Sequence, residues 1–157
     1  MKYYGEPQEI IPKMREMIDK KQGFWLTVTG NSMMPTLEHM KSSVYISPFC
    51  GRAKKGKIYL SVFGEHHCLL HRVIRCEGEM LYYKGDALVR CEGPIPLSDT
   101  IGEVTKIQKS DRIFLIDNPV YRFCNRINRF IYWIKRGISR FMHRVISRMK
   151  QTGGRSF

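Results

Sequence analysis

Acidic residues are missing altogether from the C-terminal part of this 157-residue chain: residues 118–157 hold ten lysines and arginines and no aspartate or glutamate. The preceding residues carry the other 17 basic and all 14 acidic side chains, so only +3 of the formal +13 belongs to the body. The basicity is thus a property of one segment, and it points to a tail that meets an anionic surface: membrane lipid, nucleic acid or an acidic partner. Long apolar runs are absent as well. None approaches the ~18–20 residues that cross a bilayer. The opening MKYYGEPQEIIPK lacks the apolar stretch of a secretory signal, so a cytosolic address is expected.

Paired cysteines are also lacking. The five cysteines, Cys50, Cys68, Cys76, Cys91 and Cys124, stand singly, which fits neither a scaffold of stapled loops nor a paired-thiolate zinc site. The run His66-His67-Cys68 with His71 invites a metal reading, but buried thiols used as small apolar side chains are the simpler expectation, and neither metal nor organic cofactor is expected. No glycine-rich phosphate loop, helix-turn-helix, zinc finger or 20–50-residue repeat is present, which argues against nucleic acid as the partner. A hydrophobic content of 43% with 11% aromatics excludes a wholly disordered chain.

What is present divides in two. Residues 8–21 place Ile10, Ile11, Met14, Met17 and Ile18 on one face of a short helix, with Gly23 after its end. Short runs rich in Val, Ile, Tyr and Phe then predict strands at Phe24–Thr29, Val44–Ser47, Ile58–Phe63, Cys68–Cys76, Met80–Lys84, Ile101–Gln108 and Arg112–Ile116. Turns are expected at Glu77-Gly78 and Lys109–Asp111. The body, 1–117, is therefore mainly β, a small half-open barrel or a pair of packed sheets. After Asn118-Pro119 the period becomes helical. Ile127, Phe130, Ile131, Ile134, Ile138, Phe141, Met142, Val145, Ile146 and Met149 form one apolar stripe, with Arg122, Arg126, Arg129, Arg136, Arg140 and Arg144 on or beside the opposite face. Residues 118–150 thus form a long basic amphipathic helix, followed by a loose tail at 151–157.

One segment stands out chemically. In Thr29-Gly30-Asn31-Ser32-Met33-Met34-Pro35-Thr36-Leu37, Gly30 permits an unusual backbone and Pro35 forbids strand continuation, so Ser32 is presented on a turn. Such a serine can expose its hydroxyl beside free backbone N–H groups, or it can simply bond its own backbone. As a nucleophile it needs a base, and His39, His66, His67, His71 and His143, with any desolvated lysine, are all candidates by position.

Here the chain resembles the type I signal peptidases and the related LexA-like serine peptidases. Gly30-Asn31-Ser32-Met33-Met34-Pro35-Thr36 is similar to their Ser-Met-x-Pro-Thr nucleophile box. Lys55-Gly56-Lys57-Ile58-Tyr59 is similar to the following Gly-Asp-hydrophobic strand, with Lys57 where aspartate is usual. Leu70-His71-Arg72-Val73-Ile74 resembles the box in which the general base precedes arginine; histidine there resembles the endoplasmic-reticulum, archaeal and sporulation-type branch. Lys84-Gly85-Asp86 and Ile101-Gly102-Glu103-Val104 match the two downstream boxes, so the ordered matches span about residues 24–108.

The resemblance implies a signal peptidase-like β fold and a serine endopeptidase acting through an acyl-enzyme. Ser32 is the nucleophile and His71 the base, with Asp86 expected to orient the imidazole and Glu92 and Asp99 as alternatives. It implies cleavage of an extended peptide or precursor after small side chains. Gly30 stands where many relatives carry a serine hydroxyl, with Thr29 one place further back, which leaves the second oxyanion donor open and motivates the alternative of a non-catalytic, peptide- or partner-binding relative; a protein that binds an anionic surface, membrane or nucleic acid, is the other alternative. The helix over 119–150 would hold the chain peripherally on the inner face of a membrane, arginines meeting anionic headgroups; the plainer alternative packs its apolar stripe on the body.

Overall fold

A computed structural model describes residues 2–3, 7–49, 51–63 and 67–152, with side chains within residues 9–144. Cys50, His66 and residues 153–157 of the expected tail lie outside the described residues. The chain is mainly β. Strands β1 (Lys2–Tyr3), β2 (Phe24–Thr27), β3 (Ser42–Pro48), β4 (Ile58–Phe63), β5 (His67–Glu77), β6 (Met80–Lys84), β7 (Glu92–Pro96), β8 (Thr100–Lys109) and β9 (Arg112–Leu115) are joined by helix α1 (Pro7–Asp19), a 3-10 turn (Leu97–Asp99) and helix α2 (Pro119–Thr152). They form one sheet in the order β1-β2-β3-β8-β4-β5-β6-β7, with β9 also on β8. All pairings are antiparallel except β1 with β2, and among the described residues no pairing joins the two ends, so the sheet stays open.

The strands form where β-branched and aromatic residues alternate with polar ones, because successive side chains leave a strand on opposite faces. Ile10, Ile11 and Met14 of α1 pack on Phe24, Leu26, Val44, Ile46, Leu60, Val104 and Ile107 to make the main core, which also takes in Met33 and Leu37 of the turn after β2. A smaller cluster, Ala53, Tyr59, Val73, Leu81 and Tyr83, lies under β5 and β6. The hairpin turns fall at Gly78 (φ 57°) and Ser110 (φ 49°), as turn chemistry requires.

Two strands differ from the sequence expectation. β1 is too short to leave a pattern. β7 reads Glu-Gly-Pro-Ile-Pro, whose glycine and prolines look like a loop; proline is tolerated because β7 is an edge strand with one paired side. The cysteines differ too: Cys68, Cys76, Cys91 and Cys124 are exposed, not buried apolar fillers.

Asn118 caps α2, its Oδ1 accepting hydrogen bonds from the N–H groups of Val120 (2.9 Å) and Tyr121 (3.2 Å), with Pro119 at the first helical position. Gly137 does not interrupt the helix, which is about 51 Å long at 1.5 Å per residue. It leans on the body through Tyr121, Asn125, Arg129, Trp133 and Arg136, the partly buried side of the wheel. The apolar stripe faces the other way. Val120, Phe123, Ile127, Phe130, Ile131, Ile134, Ile138, Phe141 and Met142 are 43–68% exposed, and every residue from Gly137 to Arg144 is exposed. The alternative in which the stripe packs on the body is thereby excluded over these residues. No helix among the described residues is long and apolar enough to cross a membrane.

A buried hydroxyl triangle ties the second cluster to β8: Ser61 Oγ donates to Tyr83 Oη (2.8 Å), which lies 2.8 Å from Thr100 Oγ1. Tyr83→Phe removes the shared vertex and should destabilise the fold by about 1–3 kcal/mol, read as a lower urea midpoint at unchanged slope.

Candidate active site

Ser32 sits in the loop between β2 and β3, held by its buried neighbours Met33 and Leu37 and by Leu37 N–H donating to Met33 O (2.9 Å). Gly30 adopts φ +85°, a left-handed conformation strained for any side chain, and its N–H donates to His39 Nδ1 at 2.9 Å. That backbone requirement explains why the hydroxyl expected from relatives is missing there.

His71 lies on β5 opposite Tyr59 of β4, facing the interior with Val73, and is 4% exposed. Its Nε2 is 2.7 Å from Ser32 Oγ and its Nδ1 is 2.6 Å from Glu92 Oε2. A carboxylate only accepts, so Nδ1 carries the proton and donates to Glu92, which leaves Nε2 free to accept from the Ser32 hydroxyl. The other described histidines are engaged elsewhere: His39 accepts from Gly30, His67 stacks on Phe63 and His143 is exposed on α2.

The acid on His71 is therefore Glu92, not Asp86. Arg72 follows His71 and leaves the strand on the opposite face, and it is Arg72 that claims Asp86, through Nε to Oδ1 (2.9 Å) and Nη2 to Oδ2 (2.7 Å). Arg72 Nη1 also donates to Gly56 O (2.6 Å), Thr36 Oγ1 donates to Asp86 Oδ2, and Arg129 stands 3.3 Å from Asp86 Oδ1. Asp99, the remaining alternative, lies in the 3-10 turn and makes no hydrogen bond to His71. Glu92 reaches His71 because β7 pairs with β6 at Tyr83↔Glu92, with a register shift just before it.

The Asp86 turn holds the Ser32 loop instead. Ala87 N–H donates to Ser32 O at 2.8 Å, and a Cβ on Gly85 would come within 2.6 Å of the same oxygen, so only glycine allows the approach. The Asp86 turn also receives α2: Trp133 Nε1 donates to Asp86 O (3.0 Å), Arg136 Nη1 to Ala87 O (2.5 Å) and Asn125 Nδ2 to Thr36 Oγ1 (3.2 Å).

Beside Ser32 and His71 opens an apolar cavity of about 280 Å³ lined by Ile10, Leu26, Val28, Leu60 and Leu70 among others, with Thr29 and Cys68 also on its wall. Next to it the outer edge of β5 is free: β5 pairs with β4 from His67 to Arg72, but with β6 only from Arg72 onward. Among the described residues no three His, Cys, Asp or Glu side chains converge as a metal site.

Burial by itself would raise the Asp86 pKa, but the hydrogen bonds and charge of Arg72, the charge of Arg129 and the Thr36 hydroxyl together hold it below its ordinary 3.8. A depressed carboxylate pKa contributes stability that is present above the unfolded pKa and lost as pH falls through the folded one. Urea midpoints from about pH 2 to 7 should therefore fall steeply for the wild type below about pH 4, and less steeply for Asp86→Asn. The variant, with Arg72 left unpaired, should be less stable near neutrality by about 3–5 kcal/mol.

Comparison with known proteins adds one match. The Peptidase S24-like family matches residues 2–84, which include Ser32 and His71 and stop before Asp86, Glu92 and α2. No curated protein matches the chain. Since the match covers more than half of the residues, and the mainly β fold agrees with it, the chain belongs to the Peptidase S24-like family.

Proposed function

We propose that the chain is a serine endopeptidase in which Ser32 is the nucleophile, His71 the general base and Glu92 the acid that orients it. The observation that carries this reading is the continuous hydrogen-bonded path Ser32 Oγ–His71 Nε2 and His71 Nδ1–Glu92 Oε2. Ser32 Oγ attacks a peptide carbonyl as its proton passes to His71 Nε2, and Glu92 stabilises the imidazolium. The backbone N–H of Ser32 has no hydrogen-bond partner among the described residues and is free for the oxyanion, with the Thr29 hydroxyl on the same cavity wall as second donor. Collapse returns the proton from His71 to the leaving amine, giving the acyl-enzyme, and water activated by the same histidine releases it. The substrate adds as an extended strand along the free edge of β5, placing an apolar side chain in the cavity. Histidine as base and the signal peptidase-like specificity for precursors belong to this proposal.

Location belongs to it as well. The exposed stripe of α2, flanked by Arg122, Arg126, Arg140 and Arg144 with no acidic residue on the helix, complements an anionic lipid surface such as the cytoplasmic leaflet.

Two measurements test these readings. A fluorophosphonate probe with peptide mapping should label Ser32 in the intact protein and nothing in Ser32→Ala. Labelling should slow by about 10²–10⁴-fold in His71→Ala and Glu92→Gln. Absence of label across the pH range that deprotonates histidine would favour a peptide-binding relative without catalysis. Vesicles of phosphatidylglycerol and phosphatidylcholine should co-sediment the protein, those of phosphatidylcholine alone should not, and Phe130→Ser with Ile134→Ser should cut binding at least tenfold. Concentration-dependent dimers in place of lipid binding would mean that a second copy covers the stripe.

A further inference from the structure

A second cavity, of about 470 Å³, lies between the Lys54–Lys57 turn and the first half of α2. Seven cationic side chains line it: Lys54, Lys55 and Lys57 from the turn, Arg72 from β5, and Arg122, Arg126 and Arg129 from the helix. Asp117 is the only acid on the wall among the described residues. Three of the cations have acid partners. Lys57 holds Glu103 (2.9 Å) and Asp117 (2.5 Å), and Arg72 and Arg129 share Asp86. Lys54, Lys55, Arg122 and Arg126 make no ion pair among the described residues.

Two polar atoms of lining residues lie behind the wall, shielded from the cavity. Tyr121 Oη and Arg129 Nε are buried and have no hydrogen-bond partner among the described residues. Burial pushes the Tyr121 hydroxyl up to about 12, so it remains a protonated donor. Arg129 is lowered by burial first and then by the neighbouring charges of Arg72 and Arg126, against which Asp86 is the one opposing charge. The protein's own carboxylates relieve only part of this crowding of like charge, leaving four of the seven cations without an ion pair among the described residues.

We infer that this cavity between the Lys54–Lys57 turn and α2 binds a phosphate-bearing anion, a diphosphate or a phosphomonoester. Guanidinium groups from one wall and ammonium groups from the other would surround it, led by Lys54, Lys55, Arg122 and Arg126, which no carboxylate among the described residues engages. The volume exceeds what a single inorganic phosphate fills, and it suits either a free diphosphate or a lipid headgroup reached from a membrane beneath α2. The site shares Arg72 and Arg129 with the Asp86 network but no residue with the lining of the Ser32 cavity, and it needs no peptidase activity.

Inorganic pyrophosphate is the probe, titrated calorimetrically at constant ionic strength with chloride as reference. The intact protein should bind it, with a concentration-dependent rise in Tm. Lys54→Gln combined with Lys55→Gln, and separately Arg126→Gln, should each weaken it about tenfold or more. Arg122→Gln should weaken it too, and Lys41→Gln, outside the cavity lining, should not. Vesicles of phosphatidic acid and of phosphatidylglycerol at equal surface charge separate the two sources. Preference for phosphatidic acid that the Lys54/Lys55 replacements abolish identifies a headgroup; pyrophosphate binding without that preference identifies a free ligand. If those replacements change neither pyrophosphate binding nor the phosphatidic acid preference, the inference is overturned, whatever the outcome of Ser32 labelling.

Discussion

Arg72 and Asp86 form the contact on which the site's geometry rests. A carboxylate buried that deeply is tolerable only when it is paired and fully hydrogen-bonded, and the fork of Arg72 satisfies both of its oxygens, with Thr36 and Arg129 completing the shell. Once the fork has fixed the Gly85–Ala87 turn, that turn fixes two other things. Ala87 N–H holds the carbonyl of Ser32, and the carbonyls of Asp86 and Ala87 hold Trp133 and Arg136. One ion pair thus joins the serine loop, strand β5 and the C-terminal helix, elements that are far apart in the chain.

The same pair explains what could be read from the sequence and what could not. Ser32 was legible because a glycine-flanked serine before a proline is unusual in a chain that is otherwise strand and turn, and the ordered boxes singled out His71 from five histidines. Asp86 was legible as an important acid, but its role was not: alternation sends His71 and Arg72 to opposite faces of β5, and an acid beside one is out of reach of the other. Glu92 stands in the sequence only as an alternative to Asp86. It sits at the start of a strand whose glycine and prolines hide it from any propensity argument, and the one clue, that proline-bearing strands lie at sheet edges, speaks of position and not of partners.

For α2 the period was plain and the docking was not. A helix with an apolar stripe ordinarily turns that stripe to the core. Here the touching side is the polar and aromatic one, which reaches backbone carbonyls through Trp133 and Arg136, and the stripe is left in solvent. Periodicity measures how strongly a helix is divided, not which half meets the protein. The choice was made by hydrogen-bond acceptors displayed on the Asp86 turn, and those exist only once the sheet has formed.

β7 holds the sheet by one neighbour alone, over a short and irregular ladder, and it carries Glu92. Edge elements of this kind open at a lower free energy than the sheet they border. Detachment of β7 would withdraw the carboxylate from His71 while Ser32, the Arg72–Asp86 pair and the main core stay in place. Heat or denaturant acting on this edge would separate Glu92 from His71 before the main core gives way.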